Sequence, residues 1–191
     1  MARPSEFDRT EAIASAIRVF ARHGFEAAST RDLLDGMGIG RQSLYGAFGD
    51  KRGLFLEALR QYTDASLAQM RRALARGAAI DGIEAALLVG LGSSADIESR
   101  CLGVGSIAEF SRSDPDINAL NDKASEAVVA AFAERVRDGI ADKELDPGLD
   151  ADAVGRMLLV LRSGLKIAAR GGASEAQLRD TARLALRSLK R

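Results

Sequence analysis

The stretch from Gly38 to Phe55 reads GIGRQSLYGAFGDKRGLF. It carries two apolar residues, Leu44 and Phe48, four positions apart in a short segment bounded by glycines. Residues at this spacing share one face of a helix, so the sequence predicts a short helix, Arg41–Phe48, that packs through that face. A glycine then ends the helix, and Asp50 is the predicted N-cap of the next one.

Two further helices are predicted before this stretch. The first runs from Phe7 to His23, with apolar residues recurring on one face, and Gly24 ends it. The second is opened by the capping-box-like sequence STRD at Ser29–Asp32 and ends in the glycines of GMG. Two short helices joined by a glycine-containing turn are typical of a helix-turn-helix.

Longer amphipathic helices are predicted beyond Tyr62, with a loop at Lys143–Asp150. They are Ile80–Leu91, Leu102–Phe110, Ile117–Ile140, a helix from Asp150 to about Arg170, and a last one opened by a capping box of Ser174 with Gln177. We therefore predict an all-α fold with two domains. Residues 1–62 form a three-to-four-helix helix-turn-helix domain, and residues 63–191 form a helical bundle for ligand binding and dimerisation.

Composition limits the possible functions. The 191 residues are 47% hydrophobic and 28% charged, which is typical of an ordinary globular protein. Lys+Arg and Asp+Glu number 27 each, so nucleic-acid binding would need a local basic patch. A single cysteine excludes an internal disulfide, and no apolar run is long enough to span a membrane, so we expect a cytoplasmic protein with no membrane partner.

The predicted second helix of the helix-turn-helix carries residue types that recognise bases. Arg41 and Gln42 stand in its first turn, with Ser43 beside them. Arginine pairs bidentately with guanine and glutamine with adenine in the major groove. These three residues are therefore the predicted base-reading set.

Phosphate contacts are predicted on either side of this set. Thr30 opens the preceding helix, where free backbone amides suit a phosphate oxygen, and Tyr45 offers its hydroxyl. Lys51 lies in the first turn of the following helix, where its charge opposes the helix dipole and is better used on an anion. Arg3, before a proline, is the candidate for an arm that reaches into the minor groove.

From Phe7 to Leu59 the chain resembles the DNA-binding domain of the TetR family of bacterial repressors. The resemblance rests on four segments in order: AIASAIRVFARHGFEAAS (Ala12–Ser29), TRDLLDGMGIG (Thr30–Gly40), RQSLYGAF (Arg41–Phe48) and DKRGLF (Asp50–Phe55). The rest of the chain resembles the family in layout. Two positions depart from it, since the family commonly has Ser or Thr at Gly40 and an aromatic-His pair at Gly46-Ala47. That histidine often touches phosphate, so this contact is absent here.

The resemblance implies a homodimer that binds an inverted-repeat operator in double-stranded DNA and represses transcription. It also implies that the protein is released from the operator when an unknown small molecule binds the C-terminal domain. The family uses its last two helices as a dimer interface, which here implies Asp152–Lys166 and Leu178–Leu189. The candidate pocket residues are those that the bundle would otherwise use as plain core: Leu87, Leu91, Cys101, Leu102, Phe110, Phe132, Met157 and Leu161.

The residues argue against two other kinds of function and leave one alternative open. An all-helical enzyme lacks support because one histidine and one cysteine leave few nucleophile–base pairs, so no catalytic residue and no cofactor is predicted. His23 and Cys101 lie far apart in sequence, which argues against a metal site. A helix-turn-helix scaffold that acts through protein contacts, without DNA, stays open on account of Gly46-Ala47 and the neutral net charge.

Overall fold

The computed structural model describes residues 7–91 and 101–190. Across these residues α-helices account for nearly all regular structure, which confirms the predicted all-α fold. In chain order they are α1 (Arg9–His23), α2 (Thr30–Met37), α3 (Arg41–Phe48), α4 (Lys51–Leu74), α5 (Ala79–Leu88), α6 (Leu102–Phe110), α7 (Pro115–Ala141), α8 (Ala151–Arg170) and α9 (Glu175–Leu186), with a 3-10 turn at Arg187–Leu189.

Local sequence signals set many of the helix ends. At the start of α2 the Ser29 side chain accepts a hydrogen bond from the Asp32 amide, and the Asp32 carboxylate accepts one from the Ser29 amide. Ser174 and Gln177 form the same reciprocal pair at the start of α9. Both predicted capping boxes are thus confirmed. The Asp50 carboxylate accepts a hydrogen bond from the amide three residues on, at 2.7 Å, as predicted for the N-cap of α4.

Some predicted ends were displaced by a few residues. α1 begins at Arg9, not Phe7, because the Asp8 carboxylate accepts hydrogen bonds from two first-turn amides. α7 begins at Pro115, not Ile117, since proline at the first helical position needs no acceptor for an amide.

The ends of α5 and α9 also differ from the prediction. α5 ends at Leu88 rather than Leu91, just before Gly90 takes a positive φ of 79°. α9 ends at Leu186, and the predicted helical path to Leu189 tightens into the 3-10 turn. Helix ends fray and tighten in this way because their last carbonyls lack partners.

Packing divides the described chain into two compact units. The first holds residues 7–63 and 101–121, and the second holds residues 64–91 and 122–190. α6 and the start of α7 therefore pack with α1–α3 and the first half of α4. α4 continues as one helix through the predicted boundary at 62/63. A division of function at that boundary stays a prediction.

The core of the first unit is aromatic. The Phe55 ring lies 5.0 Å from Phe20, 5.1 Å from Phe25 and 5.4 Å from Phe110, measured between ring centroids. Phe20 and Phe55 are fully buried. Edge-to-face and tilted pairs of this kind stabilise beyond the area they bury. α1, α4 and α6 are joined through this cluster.

One carboxylate fixes the loop between α1 and α2. The Glu109 side chain on α6 accepts hydrogen bonds from the amides of Phe25 and Glu26, at 2.8 Å and 2.7 Å. These amides lie outside any helix, so without an acceptor they would depend on water. α6 thus holds the loop that precedes the helix-turn-helix.

An ion-pair network ties α4 to the start of α7. The Arg52 guanidinium donates to both carboxylate oxygens of Asp114, at 3.0 Å and 2.9 Å, and to Asp116 at 2.7 Å. Asp114 also accepts the amides of Asp116 and Ile117, which makes it the N-cap of α7. Asp114 is therefore both the cap of α7 and a link to α4.

The second unit has a separate apolar core. It is formed by one face each of α4, α5, α7, α8 and α9, and its largest fully buried side chains are Met70, Ile83, Leu87, Phe132 and Leu145. In the parts of the chain that the structure describes, no helix combines the length and apolar character needed to cross a membrane.

Asp114→Asn tests the charge of the Arg52 network, since asparagine keeps the capping function. Hydrogen bonds from Arg52 hold the pKa of Asp114 below its ordinary value. The pair therefore stabilises the fold fully above the ordinary aspartate pKa of about 3.9, and the contribution is lost as pH falls through the lowered pKa. We expect the variant to lower the free energy of unfolding by roughly 0.5–1 kcal/mol at neutral pH, measured by urea unfolding.

The difference between Asp114→Asn and wild type should shrink as the medium is acidified below the ordinary aspartate pKa. Asp35→Asn is the matched control, because Asp35 forms only an exposed pair with Arg31 at 3.6 Å on one helix. Equal losses in the two variants, or a loss that does not change with pH, would contradict the assignment.

Candidate nucleic-acid interface

The turn between α2 and α3 is built on a left-handed glycine. Gly38 has φ 65° and ψ 28°, and its amide donates to the Leu34 carbonyl at 2.9 Å. Residues with a Cβ rarely adopt this conformation, so glycine is the natural occupant. Gly53 in α4 is needed for a different reason, since a Cβ there would lie 2.2 Å from the Phe48 carbonyl oxygen. The end of α3 therefore lies directly against the first turn of α4.

α3 packs through the face that the sequence predicted. Leu44 and Phe48 are buried, at 1% and 8% exposed, in the same core as Leu33 and Met37 of α2. The predicted packing of Leu44 and Phe48 is confirmed. The opposite face of α3 is left in solvent.

The predicted base-reading residues lie on this outer face. Arg41 and Gln42 are exposed, Ser43 is half-buried, and Tyr45 is 45% exposed. None of these four side chains hydrogen-bonds or pairs with another residue in the part of the chain that the structure describes. Their polar groups are therefore available to an external partner. Their contacts with bases stay predictions.

Thr30 is the predicted phosphate contact that precedes α3 in the chain. Thr30 is the first residue of α2 and half-buried. Asp32 lies in the same turn, and hydrogen bonds from Ser29 lower the pKa of its carboxyl. An ionised carboxylate thus already uses part of the positive end of α2. A phosphate contact at Thr30 stays a prediction.

Lys51 makes an internal contact that the sequence did not predict. Its Nζ donates to the Glu26 carbonyl at 3.2 Å and lies 4.6 Å from the centroid of the Phe25 ring. An ammonium has three donors, and this contact uses one of them. The side chain is therefore held next to the α1–α2 loop with donors to spare. Arg3, the predicted minor-groove arm, lies outside the described residues.

The predicted pocket residues do not gather in one core. Leu102 and Phe110 belong to the core of the first unit, whereas Leu87 and Phe132 are fully buried in the core of the second. The others differ in exposure: Leu91, Cys101 and Leu161 are half-buried, and Met157 is 40% exposed. The apolar character of a residue in the sequence does not show whether it belongs to the core or would line a pocket. No cluster of metal-ligating side chains occurs among the described residues.

Arg9 is the positioning residue that sequence reasoning missed. Its guanidinium pairs with both carboxylate oxygens of Glu57 on α4, at 3.1 Å and 2.6 Å. It also donates to the Ala47 carbonyl in the last turn of α3 at 3.1 Å, and its Cζ lies 4.5 Å from the centroid of the Phe48 ring. A cation at a helix C-terminus complements the helix dipole. One side chain of α1 thus joins the end of α3 to α4.

α3 needs this support because its own sequence is weakly helical. Its N-cap is Gly40, which makes no side-chain cap. Gly46 lies within the eight-residue helix, is exposed, and has open space where a Cβ would stand. Glycine in a helix interior costs about 1 kcal/mol relative to alanine, and so short a helix is marginal alone. Tertiary contacts therefore decide whether α3 forms.

Arg9→Ala removes the contact at the end of α3. We expect the free energy of unfolding to fall by roughly 1–2 kcal/mol and the α3 amides to lose hydrogen-exchange protection before those of the other helices. Arg18→Ala is the matched control on α1, because Arg18 bonds only to Ser15 one turn away at 2.8 Å. Gly46→Ala in the Arg9→Ala background should restore protection in α3 by raising its helix propensity. Wild-type exchange of the α3 amides in Arg9→Ala would refute the role.

Comparison with known proteins identifies a family and several relatives that resemble this chain. The family model for bacterial regulatory proteins of the tetR family matches residues 12–58. The chain is 33% identical over 185 residues to the uncharacterized HTH-type transcriptional regulator YezE of Bacillus subtilis (strain 168), covering 94% of this chain and 95% of that protein. It is 30% identical over 195 residues to the HTH-type transcriptional repressor ComR of Escherichia coli (strain K12), covering 97% and 90%.

A solved structure agrees over the same length. A cysteine mutant of the TetR family transcriptional regulator CifR, complexed with 26bp double-strand operator DNA, superimposes with a TM-score of 0.81 at 31% identity and covers 97% of this chain and 99% of that one. The matches to these relatives span almost the full length of this chain and are not limited to its helix-turn-helix. The chain therefore belongs to the TetR family of bacterial DNA-binding transcriptional regulators.

Proposed function

We propose that this chain is a homodimeric repressor that binds an inverted-repeat operator and is released when a small molecule binds its second unit. It would work in the cytoplasm, where bacterial DNA lies. The observation that carries the proposal is the outer face of α3, where Arg41, Gln42 and Tyr45 are exposed and their polar groups are unused by the described chain. The relative ComR is a transcriptional repressor, which supports repression over activation.

Base reading is assigned to Arg41 and Gln42. They occupy the first turn of α3, which is the part of a recognition helix that meets base edges in the major groove. Ser43 and Tyr45 stand beside them, and Tyr45 lies one turn from Arg41 on the same face. This arrangement can combine bidentate pairing to guanine or adenine with a hydroxyl contact to the backbone.

Phosphate contacts are assigned to Thr30, Lys51 and the arm at Arg3. Lys51 is already oriented by its bond to the Glu26 carbonyl, so its other donors can meet a phosphate with little loss of side-chain entropy. The histidine contact that the family often has is replaced by Gly46-Ala47. DNA binding should therefore depend more on the cationic side chains that remain, Lys51 and Arg3.

Dimerisation is assigned to an exposed apolar stripe on α8. Met157, Val160 and Ile167 are 40%, 72% and 58% exposed and recur at helical spacing on one face. Gly164 lies on the same face, and a Cβ there would meet open space. Leu184 on α9 is 66% exposed. Large apolar side chains on two neighbouring helices suit a four-helix interface with a second copy.

Release by a small molecule is assigned to the second unit. This unit has its own core, formed mainly by α5, α7, α8 and α9, separate from the core around α3. A ligand there could alter the DNA-binding state only by favouring one conformation of the protein over another.

Arg41→Ala and Lys51→Ala should affect DNA binding differently. Arg41→Ala should relax base preference at one operator position by about 1–3 kcal/mol. Lys51→Ala should weaken binding to all sequences and reduce the slope of log affinity against log salt by about 1. Fluorescence anisotropy with the promoter region of its own gene, and with single-base variants of the bound palindrome, measures both effects.

Arg60→Ala is a control for these two variants, because Arg60 is exposed on α4 outside the helix-turn-helix. It should leave both base preference and salt slope unchanged. The proposal fails if the wild-type chain shows no salt-sensitive binding to any palindrome in that region.

Val160→Glu places a charge in the apolar stripe and should convert the dimer to monomer, because an interface with an unpaired buried charge is strongly unfavourable. The side chain is 72% exposed, so the single chain should fold normally. Ala130→Glu, at an exposed position of α7, is the matched control. Size-exclusion chromatography with light scattering gives the mass. A dimeric Val160→Glu variant would place the interface elsewhere.

A further inference from the structure

The second unit contains an open groove of about 650 Å³ between the end of α4, α5 and α9. Its walls include none of the eight residues that the sequence suggested for a pocket. Ligand sites commonly have volumes of about 300–1,000 Å³, so the groove is large enough for a small metabolite.

Four arginines line this groove in two pairs. Arg72 lies in the last turn of α4 and Arg76 in the turn that follows, while Arg179 and Arg183 lie one helical turn apart on α9. Arg179 and Arg183 project from the same side of α9 because they are four positions apart on one helix, whereas the end of α4 and the turn after it bring Arg72 and Arg76 to the groove. Each pair therefore presents two guanidiniums to the same groove from a different wall.

The acidic side chains of the groove balance only part of this charge. Asp81 and Glu84 are its acidic lining residues, and Glu84 pairs with Arg183 at 2.9 Å. Arg179 pairs with Glu175. The side chains of Arg72 and Arg76, in contrast, make no ion pair or hydrogen bond with another residue of the described chain. Two guanidiniums that line one groove without a carboxylate partner repel each other.

We propose that this groove binds a small organic anion that carries at least two oxyanion groups, carboxylate or phosphate. One group is held by Arg72 and Arg76, and the other by Arg179 and Arg183. Guanidinium forks bind both kinds of oxyanion through paired hydrogen bonds. Ala85, Leu88 and Val89 also line the groove and supply an apolar surface for a short carbon skeleton.

The acidic residues favour a small ligand over a nucleic acid strand. Asp81 and Glu84 stand in the same groove as the arginines, so a continuous chain of phosphates would be repelled where a compact anion can avoid them. The inference deepens the proposed function, because it gives the chemical class of the effector, and it rests on that function for any effect on DNA. Binding of the anion can be measured without DNA.

Isothermal titration calorimetry at constant ionic strength tests the site directly. The probes are pyrophosphate and glutarate, each with two oxyanion groups, and acetate with one. We expect pyrophosphate and glutarate to bind more tightly than acetate. The double variant Arg72→Ala/Arg76→Ala should weaken their binding by about tenfold or more, since it removes two charged hydrogen-bonding groups. Preference for pyrophosphate or for glutarate identifies the oxyanion.

Arg71→Ala is the matched control, because Arg71 is exposed in the same turn of α4 but does not line the groove. It should bind both probes as wild type does. Arg72→Gln provides a second, milder variant that keeps the length of the side chain, and thermal unfolding checks that each variant folds. The proposal is overturned if neither pyrophosphate nor glutarate binds, or if acetate binds as tightly as they do. It is also overturned if Arg71→Ala loses as much affinity for them as the double variant.

Operator binding separates this inference from the proposed function. Arg72 and Arg76 lie outside the first unit, so the double variant without ligand should bind operator DNA like wild type. Whichever of pyrophosphate and glutarate binds more tightly should release the wild-type protein from DNA and fail to release the double variant. Operator binding without any anion binding refutes the groove alone, whereas anion binding without operator binding refutes the proposed function alone.

Discussion

An eight-residue helix is not stable by itself in water, and the first unit is organised around that constraint. The outer face of α3 is left in solvent, so only its other face can hold the helix in place. Burial of Leu44 and Phe48 supplies the apolar part of the support, and Arg9 supplies the polar part at the helix end. The aromatic cluster around Phe55 and the Glu109 carboxylate then fix the helices to which α3 is attached.

The zero formal net charge of the chain shows why total charge is a poor guide to DNA binding. Several arginines are neutralised by structural pairs, such as Arg9 with Glu57 and Arg52 with Asp114. The side chains on the outer face of α3 have no such partners within the described chain. Local distribution of charge, and not its sum, therefore decides which surface can meet phosphate.

The second unit presents two surfaces of opposite character. The α8 stripe is apolar and suits a second copy of the chain, whereas the groove of arginines is charged and suits a small anion. The pattern of apolar residues in the sequence marks more than one face of α8 as apolar, and the exposed stripe of Met157, Val160 and Ile167 agrees with that pattern. The arginine groove escaped prediction, because its two pairs lie about a hundred residues apart and each looks like an ordinary solvated helix face.

By itself the sequence determined the all-α fold, the helix-turn-helix, both capping boxes and the buried face of α3. These features depend on residues within about four positions of each other, where propensity and hydrogen-bonding chemistry are local. Tertiary structure alone decided the role of Arg9, the internal bond of Lys51, the separation of the predicted pocket residues between two cores, and the arginine groove. These features bring together residues as distant in sequence as Arg72 and Arg183, and their geometry exists only once the helices have packed.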